Sequence, residues 1–252
     1  MKALITGASS GIGKDFAIAL GNMGYDLILV ARNQENLEKV KKEIKTNVQI
    51  IPLDVSTTTN CIELYNKIKE ENIDILINNA GVGVFGEFSE TDLNKELSLI
   101  DLNIKAVHTL TKLFLKDFKK RNSGYILNVG STAAFSPGPL MATYFASKAY
   151  VLRLTQAIYE ELRQEKSNVY IGVLCPGPVN TNFNNNLGIK FKKAQESKDV
   201  VEYAIKKMFK RKLVIIPSLS LRLNTFFNRF IPTKVLLKAN YNVQIKKKIT
   251  KN

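Results

Sequence analysis

The sequence predicts an α/β protein in which helices cover a parallel β-sheet. Two observations indicate this class: apolar runs of strand length alternate with longer amphipathic stretches, and several runs are apolar throughout. Continuous apolar runs are typical of strands that are buried on both faces, as in a parallel sheet. The pattern covers residues 1 to about 216. It gives seven strand candidates, at residues 2–6, 25–31, 48–52, 74–78, 124–130, 169–175 and 213–216.

Length and composition favour one domain in a reducing compartment. The chain has 252 residues and is 45% hydrophobic, which is enough for a sizeable core. Cys61 and Cys175 are too few for a disulfide framework and have no metal-ligand spacing, so we expect no metal site. A strand begins at Lys2, which leaves no room for a signal peptide, and no apolar stretch approaches the roughly 18 residues of a membrane span. We therefore expect a cytoplasmic protein, soluble or peripheral to a membrane.

The net charge of +15 is concentrated at the C-terminal end of the chain. After Glu202 there are thirteen Lys or Arg and no acidic residue, so residues 1–202 carry only +2. Since the body is nearly neutral, the basic total does not indicate a nucleic-acid partner, and we expect none.

A glycine turn follows the first strand and predicts a dinucleotide site. Gly7, Gly11 and Gly13 lie just before a helix that is expected to start near Ile12. Without Cβ atoms, the backbone can turn sharply and approach a pyrophosphate at the helix N-terminus, where N–H groups and the helix dipole favour anions. The predicted cofactor contacts in this turn are Gly7, Ser9, Ser10, Gly11, Ile12 and Gly13. A second glycine run at residues 81–86 leads into a loop, so we do not assign the phosphates to it.

The end of the second strand favours NADP(H) over NAD(H). Ala31 and Arg32 stand where a carboxylate would bind the adenosine ribose, and a guanidinium there would pair with a 2′-phosphate. The alternative is an exposed Arg at a strand end. Asp54, followed by Val55, ends the third strand and is positioned to accept from an adenine amino group. Its alternative role is the N-cap of the helix expected near Ser56.

A Tyr-x-x-x-Lys pair, Tyr144 and Lys148, provides candidate proton chemistry. The same spacing recurs at Tyr65/Lys69 and Tyr203/Lys207, so spacing alone does not identify a site. Only Tyr144 has a hydroxyl side chain, Ser131, thirteen residues upstream at the end of an apolar run. This combination argues for hydride transfer on a bound dinucleotide.

Together these motifs resemble the short-chain dehydrogenase/reductase family from Thr6 to Thr181. The family's motifs occur here in order as the glycine turn, Asn78 to Gly81, Asn103, Ser131, Tyr144 with Lys148, and Pro176-Gly177. The resemblance implies a Rossmann-like, doubly wound, seven-stranded parallel sheet of order 3-2-1-4-5-6-7, with helices on both faces. It also implies a homodimer or homotetramer that assembles through the long helices carrying Asn103 and Tyr144.

The predicted catalytic residues are Asn103, Ser131, Tyr144 and Lys148. Tyr144 would donate a proton to a carbonyl oxygen, and Lys148, one helical turn on, would lower the phenol pKa and hold the nicotinamide ribose. Ser131 would orient the substrate oxygen. By resemblance, Asn103 holds a water that links Lys148 to solvent. Taken singly, each could be an ordinary packing or surface residue.

Further cofactor contacts are predicted at two other strand ends. In the motif after the fourth strand they are Asn79, Ala80 and Gly81, and after the sixth strand they are Pro176, Gly177, Val179 and Thr181. By resemblance, Val179 and Thr181 meet the carboxamide and the phosphates. Residues 182–198 have a composition suited to a substrate lid, although a surface loop is equally compatible.

The predicted substrate pocket is apolar. Beside Ser131 and Tyr144 we predict substrate contacts from Ala133, Phe135, Met141 and Phe183, with Val82, Phe85 and Leu140 also lining the pocket. No basic side chain there could clamp a carboxylate, which favours a small hydrophobic ketone, aldehyde, steroid or acyl chain. These residues could instead belong to the core or to a dimer contact.

Residues 218–252 form a basic amphipathic tail beyond the predicted domain of residues 1–217. One hypothesis is that the tail contacts anionic membrane and delivers a lipophilic substrate. The alternative is a cap whose apolar face packs over the active site or a partner subunit.

The sequence therefore predicts an NADP(H)-dependent carbonyl reductase or alcohol dehydrogenase that acts on CH–OH groups. A 3-oxoacyl reductase and a hydroxysteroid dehydrogenase are both compatible with the apolar lining. A dinucleotide-binding regulatory protein or a membrane-associated scaffold is the alternative from another class.

Overall fold

Seven parallel strands form one sheet in a computed structural model that describes residues 1–187 and 194–248. The strand order is β3-β2-β1-β4-β5-β6-β7, as the resemblance implied. The strands are β1 (Lys2–Thr6), β2 (Asp26–Ala31), β3 (Val48–Pro52), β4 (Ile75–Asn78), β5 (Tyr125–Val129), β6 (Tyr170–Leu174) and β7 (Val214–Ile215). Each end lies within one residue of its predicted position, because the apolar runs are the segments that the sheet buries.

Helices follow the strands and cover the sheet on both faces. They are α1 (Gly11–Asn22), α2 (Gln34–Lys42), α3 (Thr58–Ile68), α4 (Leu93–Ile100), α5 (Val107–Lys120), α6 (Ala142–Gln164), α7 (Asn182–Leu187), α8 (Ser197–Phe209), α9 (Leu219–Phe227) and α10 (Thr233–Lys248). A π-helical segment, Asp101–Ala106, joins α4 to α5 without a break. Among the described residues, no helix has both the length and the apolarity to cross a membrane.

Two apolar layers sandwich the sheet, one on each face. Ala3 and Ile5 of β1 belong to the layer under α1 and α8, whereas Leu4 between them belongs to the layer under α3 and α5. Successive strand residues point to opposite faces, so both faces of β1 must be apolar. Because all seven strands run in the same direction, their carboxyl ends lie along one edge of the sheet.

Candidate active site

A cavity of about 610 Å³ runs across the carboxyl edge of the sheet. The residues that follow β1 to β6 form its floor and sides, and α9 and α10 contribute to its wall. Ligands of open α/β sheets bind in this position.

The glycine turn after β1 forms a tight cradle at one end of the cavity. A Cβ on Gly13 would lie 2.2 Å from the carbonyl oxygen of Gly7, so no side chain fits there. Gly11 has φ +51°, and a Cβ on it would lie 2.9 Å from Cγ2 of Thr181. Ser10 precedes α1 without a side-chain capping bond. The first turn of α1 is therefore open to an anion, which fits the pyrophosphate of a dinucleotide.

The Asn-Asn-Ala-Gly motif fixes the end of β4 against this turn. Thr6 Oγ1 accepts the backbone N–H groups of Asn79 at 3.0 Å and Ala80 at 3.1 Å, and Asn79 Nδ2 donates to the Thr6 carbonyl oxygen at 2.9 Å. Asn79, Ala80 and Gly81 line the cavity. The side-chain amide of Asn79 is thus bonded to the backbone of the glycine turn and fixes the end of β4 beside it.

Arg32, Asp54 and Val55 lie together at the far end of the cavity. The Arg32 side chain is 74% exposed, and its guanidinium lies 4.0 Å from an oxygen of Asp54. Asp54 Oδ1 accepts the N–H of Ser56, while the N-cap of α3 is Thr57. The alternative role of Asp54 as the N-cap of α3 therefore does not apply.

Tyr144 and Lys148 lie one turn apart on α6, and Ser131 follows β5. All three line the cavity. Lys148 Nζ lies 5.8 Å from the centre of the Tyr144 ring and donates to the Val129 carbonyl oxygen at 2.9 Å. The Ser131 side chain interacts with the Tyr144 hydroxyl. The structure thus brings together the three side chains that the sequence singled out for proton chemistry.

Desolvation is the largest effect on the pKa values of Tyr144 and Lys148. It raises the pKa of Tyr144 to about 12, and the Ser131 hydroxyl opposes this shift by favouring the phenolate. Desolvation also lowers the pKa of Lys148 to about 8. The direction for Tyr144 is opposite to our expectation, because desolvation is the largest effect on its pKa. Lys148 Nζ is directed at the Val129 carbonyl oxygen.

Asn103 lies in the π-helical segment and is fully buried. Its Oδ1 accepts from the Val82 N–H at 2.9 Å, and its Nδ2 donates to the Val82 carbonyl oxygen at 2.9 Å and to Ser147 Oγ at 3.1 Å. Ser147 Oγ in turn donates to the Tyr144 carbonyl oxygen. Asn103 therefore ties the loop after β4 to the helix that carries Tyr144, and its role in a water relay remains a prediction.

The other predicted contacts divide between the cavity and the core. The segment after β6 contributes Pro176, Gly177, Val179 and Thr181 to the lining, and the substrate end contributes Ala133, Met141 and Phe183. The Phe183 ring lies 5.6 Å from that of Tyr144. Phe135 instead packs against the apolar cluster that includes Val151 and Ile216.

The predicted lid is partly regular structure. Its first residues form α7, Gln195 pairs with Val179, and α8 begins at Ser197. Residues 188–193 lie outside the described part of the chain.

Part of the cavity wall that the sequence analysis did not predict comes from the tail. Its contributions to the cavity wall are Leu221, Asn224, Thr225, Asn228, Asn240, Val243 and Gln244. Asn240 Nδ2 donates to the Pro137 carbonyl oxygen at 2.8 Å, which docks α10 on the body. The tail thus covers the cavity with a largely polar face, not with the apolar face that we expected of a cap. The spacing of Leu221, Thr225 and Asn228 along one side of α9 is the sequence signal that could have shown it.

A second unforeseen group is a buried polar network between the sheet and the helices. Asn128 Oδ1 accepts from Asn78 Nδ2 at 2.9 Å and from Thr111 Oγ1 at 3.2 Å, while Asn128 Nδ2 donates to Thr155 Oγ1 at 3.0 Å. It joins β4 and β5 to α5 and α6 below the site.

Known proteins are similar to this chain in sequence and in fold. The family model for short chain dehydrogenases matches residues 1–192. Two relatives are each 36% identical: human 17-beta-hydroxysteroid dehydrogenase type 3 over 189 residues (71% of this chain, 59% of that protein), and a very-long-chain 3-oxoacyl-CoA reductase of Pyrenophora tritici-repentis over 181 residues (67% and 52%). A solved short-chain dehydrogenase from Sphingobium yanoikuyae, in complex with NADPH, is 31% identical with a TM-score of 0.82, covering 90% of this chain and 92% of that one.

The matched region includes the glycine turn, the Asn-Asn-Ala-Gly motif and the Tyr144–Lys148 pair, which lie around one cavity. The chain therefore belongs to the short-chain dehydrogenase family and is an oxidoreductase.

Proposed function

We propose that the protein is an NADP(H)-dependent oxidoreductase that interconverts a carbonyl and an alcohol on a hydrophobic substrate. One observation carries this proposal: Tyr144, Ser131 and Lys148 line the same cavity as the open N-terminus of α1 and the exposed guanidinium of Arg32. Such a cavity can hold a dinucleotide along its length and a substrate beside the phenol.

The chain's own residues would handle the proton. When bound, the nicotinamide supplies or receives the hydride. In reduction, the Tyr144 hydroxyl would donate a proton to the substrate oxygen, and Ser131 would hold that oxygen by a second hydrogen bond. Because the phenol is a weak acid with a pKa of about 12, its proton would transfer as negative charge develops on the substrate oxygen. Lys148 Nζ, beside both Tyr144 and Gly81, would stabilise the resulting phenolate.

The preference for NADP(H) rests on Arg32. It lies at the end of β2, where the second strand offers no carboxylate of its own to accept from ribose hydroxyls, and it is mostly exposed. A 2′-phosphate there would gain a charge-assisted pair with the guanidinium. The relative from Sphingobium yanoikuyae was solved with NADPH, which is consistent with this choice.

The lining near Tyr144 supports an uncharged, hydrophobic substrate. Its apolar members are Val82, Ala133, Met141, Phe145, Phe183, Leu187, Leu221 and Val243, and the neutral amides of the tail add hydrogen-bonding groups. Apart from Lys148, the charged side chains of this cavity, Arg32 and Asp54, lie at the far end. Steroid-like ketones and 3-oxoacyl chains are both compatible, as the two named relatives illustrate.

Assembly as a homodimer or homotetramer is also part of the proposal. Leu93 and Leu97 of α4 and Tyr150 of α6 are large side chains that are exposed in the single chain. A second copy packed along these helices would cover them.

An absorbance screen tests the activity. NADPH oxidation by the purified protein would be followed with bulky ketones, ketosteroids and 3-oxoacyl thioesters, and each active compound would be repeated with NADH. Turnover on a hydrophobic carbonyl with a preference for NADPH is expected. Turnover with NADH alone would contradict the cofactor assignment, and turnover confined to small acids or sugars would contradict the substrate class.

A further inference from the structure

The tail presents most of its large apolar side chains outward. On α9 and the turn Asn228–Phe230 that follows it, Leu221, Thr225 and Asn228 face the body of the protein. Leu219, Leu223, Phe226 and Phe230 follow helical spacing on the opposite side. This is the reverse of a helix that is stabilised by packing on a core. Inward packing therefore does not explain the apolar residues.

The outward surface is large for an exposed apolar area. Residues 219–243 contain ten large apolar side chains that are exposed, against seven in the rest of the described chain. They are Leu219, Leu223, Phe226, Phe227, Phe230, Ile231, Val235, Leu237, Tyr241 and Val243. All of them except Val243, which lines the cavity, form what we call the tail surface. The Phe226 ring lies 5.5 Å from that of Phe227 and 5.6 Å from that of Phe230, so the aromatic side chains form one continuous cluster. Clusters of this kind mark interaction sites.

The charges beside the tail surface are all of one sign. Between residues 218 and 248 there are seven Lys or Arg and no Asp or Glu. Arg229, Lys234, Lys238 and Lys246 are exposed around the apolar side chains. Arg222 is also exposed, and it hydrogen-bonds to the Ile216 carbonyl oxygen and to Tyr203. The partner must therefore accept aromatic side chains and carry negative charge.

Charge complementarity decides between two candidate partners of the tail surface, a second copy of the chain and an anionic lipid bilayer. A second copy would oppose two all-basic surfaces, and their repulsion would weaken the contact. An anionic bilayer offers an apolar interior below a negative surface that attracts each nearby Lys or Arg. Helices of this kind lie in the plane of a membrane surface without crossing it.

We propose that α9, the turn after it and α10 form a docking surface for an anionic lipid bilayer. Phe226, Phe227 and Phe230 insert among the lipids, and the exposed Lys and Arg pair with headgroup phosphates. The inner face of the same helices lines the substrate end of the cavity. Docking therefore holds that end close to the bilayer. The docking itself does not depend on the proposed activity.

Sedimentation with vesicles tests the proposal on the full chain. Vesicles of phosphatidylcholine and phosphatidylglycerol in equal parts are compared with phosphatidylcholine alone. The protein is expected to bind the anionic vesicles, and the triple variant Phe226→Ser, Phe227→Ser, Phe230→Ser is expected to bind at least about tenfold more weakly. Phe230→Ser and Phe88→Ser are a matched pair, because both rings are 72% exposed and Phe88 lies outside the tail. Only the former should lose binding.

Charge is tested by a second matched pair. Lys234→Glu with Lys238→Glu should weaken binding to the anionic vesicles by at least about tenfold, whereas Lys112→Glu with Lys116→Glu should not. In each pair the two lysines lie one helical turn apart, and the two double substitutions change the net charge equally. Raised salt should also weaken binding.

Failure to bind anionic vesicles would overturn the proposal, as would equal binding to neutral ones or equal losses in the control variants. If the protein instead fails to bind the vesicles and the triple variant forms a smaller assembly than the wild type, the tail surface is a contact between copies and the proposal is wrong. Thermal unfolding of each variant separates lost docking from lost folding.

Discussion

The side-chain amide of Asn103 forms two hydrogen bonds with the backbone of Val82: its oxygen accepts from the Val82 N–H and its nitrogen donates to the Val82 carbonyl oxygen, each at 2.9 Å. The π-helical segment that carries Asn103 widens the helix at this point, so that its side chain reaches the loop after β4. That loop contains Gly81, and a Cβ there would lie 3.1 Å from Asn103 Oδ1 and 3.4 Å from Lys148 Nζ. The pair therefore positions the backbone next to the proposed catalytic group.

Asn103→Leu should destabilise the fold and displace the loop. It leaves the two Val82 backbone groups without this partner in a buried place, and we expect the free energy of unfolding to fall by about 1–3 kcal/mol. Urea unfolding measures the loss. Asn103→Asp retains an acceptor for the Val82 N–H and should lose less; a larger loss in the Asp variant would contradict the role of the pair.

Tyr144→Phe tests the proton donor with little change in shape. We expect kcat/KM to fall by about 10²-fold or more, because no other group can deliver the proton in the same position. NADPH binding, followed by fluorescence, should be retained. Tyr150→Phe on the same helix is the control, since its hydroxyl contacts His108 at the surface and its loss should not change either quantity. Full activity in Tyr144→Phe would disprove the assignment.

Arg32→Ala tests the cofactor preference. Loss of a charge-assisted hydrogen bond to a 2′-phosphate should weaken NADPH binding by about 10–100-fold and leave NADH binding nearly unchanged. Titration with each cofactor gives the two dissociation constants. Arg153→Ala, which removes an exposed guanidinium bonded to Gln156, should affect neither. An equal loss for both cofactors would point to a structural role of Arg32.

Asn128→Leu should destabilise the protein without touching the cavity. Asn78, Thr111 and Thr155 would each lose a buried partner, so the free energy of unfolding should fall by about 2–4 kcal/mol. Denaturant unfolding tests this, with Asn36→Leu on the half-exposed surface of α2 as the comparison. Equal stability of wild type and Asn128→Leu would mean that the network contributes nothing.

The buried lysine predicts a dependence of stability on pH. The pKa of Lys148 is about 8 in the folded protein against 10.5 for an ordinary lysine. Between these values the unfolded chain binds more protons than the folded one, so stability should rise as the pH increases through this window. Other groups titrate nearby, so the quantity to follow is the difference in unfolding free energy between wild type and Lys148→Met. A difference in unfolding free energy that stays constant from pH 8 to pH 10.5 would contradict the lowered pKa of Lys148.

Much of the fold and the proposed site was predictable because it depends on local constraints. A strand buried on both faces is apolar at most positions, and the apolar runs located the strands within one residue, including β3 at the sheet edge, which is only partly buried. The turn at Gly7, Gly11 and Gly13 needs residues without a Cβ, so its composition indicates its shape. Spacing on a helix put Tyr144 and Lys148 on one side, and strand ends brought Ser131 and Arg32 to the same edge.

Other features depend on contacts between segments far apart in the chain, which residue patterns do not specify. The Asn103–Val82 pair, the Asn128 network and the direction of the pKa shift at Tyr144 arise from burial between elements. Phe135 is close in sequence to lining residues but packs against a buried apolar cluster instead of lining the cavity. The sequence determined by itself that residues 218–252 are basic and amphipathic. Only the tertiary structure decided that the polar side of this tail lines the cavity and that Phe226, Phe227 and Phe230 face outward, because the packing of α9 and α10 on the body of the protein sets which side faces the cavity.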